Sequence, residues 1–174
     1  MPKIRTITPF LWFDDQAEEA GRFYTSIFDE SRIVNVARYT EAGREVHGKP
    51  AGTAMTVDFE LRGQPFTALN GGPQFKFNEA VSFQVPCETQ EELDRIWERL
   101  SEGGDKNAQR CGWLKDKYGV SWQVVPAALP ELMKGTPEQS QRVMQALLAM
   151  RKLNIQKLKQ AYEGKSAAVS SSAT

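Results

Sequence analysis

The sequence predicts an α+β protein made of two βαβββ modules in tandem, with a helical extension after them. Three observations carry this. A strand-length apolar run followed by one helical stripe occurs twice, and alternating β-prone segments broken by glycine turns follow each stripe. Past Pro126 the pattern becomes helical periodicity alone. Shifted by about 73 positions, Ala20, Phe23, Tyr24 and Ile27 land on Leu93, Ile96, Trp97 and Leu100, so an internal duplication is the economical explanation.

Ile4 to Phe13 is apolar and β-prone and ends in "DDQ", a helix N-cap signal with acids in the first turn. "QAEEAGRFYTSIFD" then sets Ala17, Ala20, Phe23, Tyr24, Ile27 and Phe28 on one helical face. "RIVNVARYT" alternates as a strand, "TEAGREVHGKPAG" is a loop, and "TAMTVDFELRGQPFTALN" reads as two strands around a tight turn at Arg62 to Gln64. The second half repeats the order. "EAVSFQVPC" is a strand, "TQEELDRIWERLSEGG" a helix with glycines at its end, and "QRCGWLKDKYG" and "VSWQVVP" are strands about a glycine turn. Each module alone leaves one sheet face bare, which predicts that the halves join, or join across a dimer.

In the extension, Val143, Leu147, Met150 and Leu153 form a stripe continued by Ile155, Leu158 and Tyr162, and Pro137 is well placed near a helix start. The stripe is expected to cover apolar surface on the sheet or on a partner subunit. The expected boundaries are a paired domain over 1–126, the extension over 127–164 and a disordered tail over 165–174.

Composition excludes several classes. Lys and Arg number 22, and so do Asp and Glu, which argues against a non-specific grip on nucleic acid or an anionic membrane. No apolar run reaches the ~20 residues that span a bilayer, and the N-terminal stretch reads poorly as a signal peptide. Cys87 and Cys111 form neither a disulfide framework nor a CxxC site, so a reduced, cytoplasmic protein is expected. "NGGPQ" leads into a proline and a further strand, unlike the glycine-rich strand-to-helix turn that holds a phosphate or a methyl donor.

The strings "ITPFLWFDDQAEEAGRFYTSIF", "FTALNGGPQFKFNEAVSFQVPCETQEELDRIWERLSEGG" and "CGWLKDKYGVSWQVVP" resemble the vicinal oxygen chelate superfamily of glyoxalases, bleomycin-resistance proteins and extradiol dioxygenases. The narrower resemblance is to its PhnB-like branch, often labelled a demethylubiquinone methyltransferase domain, over Ile4 to Pro126. The resemblance implies paired modules, dimers and a small-molecule site in the sheet concavity. Catalytic members hold a divalent metal there with His, Glu or Gln side chains from the first and last strand of each half. Those positions fall near Thr8, Asn70, Ala80 and Gln123, which make a poor ligand set for a transition metal. His47, the one histidine, matches none of them. No metal and no cofactor are therefore expected.

Strand alternation then gives the residues expected to face the concavity: Thr8, Phe10 and Trp12; Ala68 and Asn70; Ala80, Ser82 and Gln84; Ser121 and Gln123. Phe75, Phe77 and Trp113 are expected as lids or walls. Ligand-binding candidates are thus Thr8, Phe10, Trp12, Asn70, Phe75, Phe77, Ser82, Gln84, Trp113 and Gln123, a set suited to a small, partly apolar molecule. Asn70 before "GG" also reads as a turn former, and Asp116 as a structural turn residue. The catalytic role has one weak candidate, Glu79, whose pKa would be raised beside Phe77. The expected function is metal-free small-molecule binding. The alternatives are a glyoxalase- or isomerase-type enzyme with a weak or unconventional metal site, and an interaction module whose helices engage a protein.

Overall fold

The computed structural model describes residues 7–165. The chain forms two compact units, one up to Phe77 and one from Asn78 onward.

The first unit runs β1 (Phe10–Phe13), α1 (Ala17–Ile27), β2 (Arg32–Arg38), the single turn α2 (Arg44–His47), β3 (Ala54–Leu61) and β4 (Gln64–Asn70). Its sheet order is β1-β4-β3-β2, with β1 and β4 parallel and the other pairs antiparallel. This is the expected βαβββ module. The β3–β4 turn places Arg62 (φ 50°) and Gly63 (φ 82°) in the left-handed region, the geometry of a two-residue hairpin. One face of the sheet packs on α1. Leu11, Phe13, Val57, Phe59, Phe66 and Ala68 are buried there against Ala20, Tyr24 and Ile27. Each large side chain so buried contributes roughly 1.5–3 kcal/mol of transfer free energy.

The strand is shorter than the apolar run suggests. β1 starts at Phe10 because Pro9 has no N–H for the ladder, so Thr8 lies outside it and is exposed. "DDQ" does not cap α1 either, since Gln16 occupies the cap position and makes no side-chain cap bond.

The second unit runs β5 (Phe83–Cys87), α3 (Gln90–Ser101), a 3₁₀ turn (Lys106–Ala108), β6 (Trp113–Lys115), β7 (Ser121–Pro126), α4 (Leu129–Leu132), α5 (Pro137–Leu148) and α6 (Ile155–Glu163). The duplication is literal at its start: Phe10 and Phe83 open the strands and Ala17 and Gln90 the helices, the same 73-residue step. It then breaks. Phe10 pairs with Thr67, 57 residues on, whereas Phe83 pairs with Trp122, only 39 on. The second sheet accordingly has three strands in the order β5-β7-β6, one fewer than the expected βαβββ. β5 also begins later than the sequence suggests. Asn78 Oδ1 accepts the Ala80 N–H at 2.9 Å and bends residues 79–81 into a turn, so Ala80 belongs to no strand.

The extension packs on its own module. The helical stripe is broken after Leu148, and Asn154 Oδ1 restarts it by accepting the Lys157 N–H at 2.8 Å. Val143, Leu153 and Leu158 are fully buried. Gln90 clamps the join: its Nε2 donates to the Leu153 carbonyl (3.2 Å) and its Oε1 accepts from the Ile155 N–H (2.8 Å). The N–H groups of Cys111 and Gly112, just before β6, donate to the carbonyls of Met150 (2.9 Å) and Arg151 (2.8 Å). The expected tail, from residue 166 on, lies outside the described residues.

Asp116 organises the β6–β7 turn, as its D-x-x-G spacing suggests. Its Oδ1 accepts from the Tyr118 (2.9 Å) and Val120 (3.0 Å) N–H groups and its Oδ2 from the Trp122 indole (2.8 Å). Replacing this buried carboxylate strands three donors. Asp116→Ala is expected to lower stability by about 3 kcal/mol or more, measured as a shift of the urea unfolding midpoint.

Candidate functional site

The residues expected at one concavity fall on both units, six in the first and four in the second. In the first unit, Phe10 and Trp12 lie on the sheet face away from α1, and Phe10 is 59% exposed. The Trp12 indole donates to the Gly72 carbonyl at 2.8 Å and stands edge-on to Phe75, their centroids 4.9 Å apart. A Cβ on Gly71 would lie 2.3 Å from the same indole, so this glycine is the seat for Trp12.

Two expectations are corrected here. Asn70 and Ala68 pair in parallel register with Phe13 and Leu11, so they point to the helix side and not to the open face. Asn70, only 6% exposed, holds α1 in place: its Oδ1 accepts the Ala17 N–H (2.7 Å) and its Nδ2 donates to the Ala54 carbonyl (3.0 Å). Phe77 likewise stacks edge-on to buried Phe13 at 5.2 Å and walls the helix side. A cavity of about 500 Å³ beside Asn70 is lined by charges that pair locally, Arg38 with Glu18 (3.6 Å) and Lys49 with Asp14 (3.9 Å). His47 ends the single turn α2, its ring 4.3 Å from Tyr39 and its Nδ1 accepting the Lys49 N–H.

In the second unit, α3 packs on the face bearing Val85, Cys87, Trp122 and Val124. The other face gathers the four remaining candidates. Gln84 and Trp113 both lie beside Gln123 in register, and the Gln123 amide donates to Ser82 Oγ at 2.9 Å. Next to them opens a cavity of about 350 Å³, lined by Trp113, Lys115 and Ser121 of this face and by Glu79, Arg110, Cys111 and Leu148 around it. Sequence reasoning placed Ser121 on this face but did not single it out. Its Oγ is buried with no hydrogen-bond partner among the described residues, something no sequence pattern signals.

Glu79 is not the poised base expected of it. Its carboxylate is ion-paired with Lys115, and that hydrogen bond holds its pKa below the ordinary value. A lowered carboxyl pKa means that the pair is intact above the ordinary carboxylate range and is lost only as pH falls through the lowered value.

The four positions where the resemblance implies metal ligands do not fit a metal. Thr8 is exposed outside the strand, Ala80 offers no donor atom, Asn70 Oδ1 is taken by the helix, and the Gln123 amide bonds Ser82. Among the described residues no three His, Cys, Asp or Glu side chains come together as a metal site.

Comparison with known proteins decides the family. The family model of 3-demethylubiquinone-9 3-methyltransferase matches residues 5–125. The chain belongs to this family. The PhnB protein from Bacillus cereus, a solved structure, is 40% identical, covers 70% of this chain and 99% of its own length, and superposes with a TM-score of 0.59. A Staphylococcus aureus protein is 31% identical over 71% of this chain and 96% of its own, with a TM-score of 0.31. The fosfomycin resistance protein FosX from Listeria monocytogenes, 16% identical over 75% of this chain and 98% of its own with a TM-score of 0.50, shares the fold. No curated protein matches. This PhnB-like chain thus shares its fold with a fosfomycin resistance protein, and α5 and α6 lie beyond the family match.

Asn70→Ala removes a buried cap and strands the Ala17 N–H. It is expected to cost about 2 kcal/mol in chemical denaturation.

Proposed function

We propose that this PhnB-like protein binds a small, partly apolar organic molecule on the open face of its second sheet, and that it does so without a metal at the four family positions. The observation that supports this most is the polar row Ser82, Gln84 and Gln123 set beside Trp113, a residue that also lines a neighbouring cavity. Amide groups supply directional hydrogen bonds and the indole supplies apolar contact, the usual division of labour in small-ligand sites. Methyl transfer, which the family name carries, gains nothing from "NGGPQ": Asn70 caps a helix there and Gly71 seats an indole.

We infer further that the protein is a homodimer, as the superfamily resemblance implies. Phe10 on the first sheet and Phe75 in the segment after β4, 59% and 65% exposed, give this module an apolar surface suited to a second copy. No helix among the described residues is long and apolar enough to cross a membrane.

The test is a native mass spectrometry screen of small organic molecules on protein purified without chelator. Gln123→Leu and Trp113→Ala are each expected to weaken the ligands found by about tenfold while leaving the ligand-free unfolding midpoint near that of the parent. Ligands that bind these variants as tightly as the parent overturn the site. Stoichiometric zinc, nickel, manganese or iron in the purified protein overturns its metal-free character.

A further inference from the structure

We propose that the cavity of the second module takes an organic monocarboxylate with an apolar body, and that the C-terminal extension completes this site. The inference rests on the reading above that the open face of the second sheet binds a small molecule, and it names the class.

Its volume of about 350 Å³ sits near the lower end of the ~300–1,000 Å³ typical of ligand pockets. Three kinds of group line it. Trp113 and Leu148 supply apolar walls, and Leu148 belongs to α5, outside the part of the chain that the family match covers. Ser121 supplies a hydroxyl that is 1% exposed and has no partner among the described residues. Such a group is costly to bury unless something hydrogen-bonds it.

Charge selects the ligand. Lys115 is occupied by Glu79, so this pair is neutral, whereas Arg110 has no ion pair among the described residues. The lining therefore carries one net positive charge, which suits a monoanion better than a phosphate dianion. A guanidinium offers two parallel N–H donors that match the two oxygens of a carboxylate. The Ser121 hydroxyl adds a further donor, and the body of the acid then lies against Trp113 and Leu148.

The cysteines provide the readout. Cys87 is fully buried, whereas Cys111 lines the cavity and is partly exposed, so alkylation of the folded full-length chain by iodoacetamide reports on Cys111. The probe is 3-phenylpropanoate, compared with its neutral isostere 3-phenylpropanamide. The acid is expected to slow alkylation in a saturable way and to act at about tenfold lower concentration than the amide. Arg110→Gln, a change at an exposed side chain, is expected to erase that difference, and Ser121→Ala to weaken protection by the acid about fivefold. Equal protection by acid and amide, unchanged by Arg110→Gln, overturns the carboxylate class but leaves the small-molecule reading standing. No protection by either probe, while the ligands of the native mass spectrometry screen still depend on Gln123, overturns the cavity as the site and leaves that earlier reading intact.

Discussion

The second module depends on two hydrogen bonds between segments far apart in sequence. The N–H groups of Cys111 and Gly112 are held by the carbonyls of Met150 and Arg151. Both donors sit in the left-handed region, φ 53° at Cys111 and 85° at Gly112, and for a cysteine that conformation costs roughly 1–3 kcal/mol. The turn between α5 and α6 stabilises it. A Cβ on Gly112 would meet Leu153 Cδ1 and the Val124 carbonyl at 3.0 Å, so extension and sheet are packed as closely as a glycine allows. The cavity follows from this seam, with Arg110 and Cys111 on one side and Leu148 on the other.

The duplicated modules solve the same local problem in different ways. Thr89 and Gln16 occupy equivalent places, each at the start of its module's helix. Thr89 caps α3 from within, accepting the Glu92 N–H at 3.1 Å while Glu92 reaches back to the Glu88 N–H at 2.9 Å. Gln16 makes no such bond, so α1 takes its acceptor from Asn70, 53 residues away on β4. The absence of a local cap in one repeat thus commits a distant asparagine to structure, at a position where the superfamily resemblance implies a metal ligand.

Most of the candidate site was legible as face and alternation. Phe10 with Trp12 and Gln84 with Gln123 lie on the open faces of their sheets because strand period 2 fixes them there. The errors came where a strand ended earlier than its apolar composition implied. Pro9 and the Asn78 turn cut off Thr8 and Ala80, and counting by twos across such a break assigns a face to residues in no strand. Asn70 failed for another reason. Parallel pairing with Phe13 puts it on the helix side, and the partner of a parallel strand is invisible to local periodicity.

By itself the sequence determined the repeated strand–helix order, the helical faces, the Asp116 turn and the misfit of the four metal positions, because each depends on residue type and short spacing. Only the tertiary structure decided which residues meet. It spent Asn70 on a helix end, paired Glu79 with Lys115, left the second sheet one strand short, and brought Leu148 beside Ser121 from 27 residues downstream. Those outcomes depend on backbone groups and buried hydroxyls finding partners across long stretches of chain, and a one-dimensional pattern does not encode who those partners are.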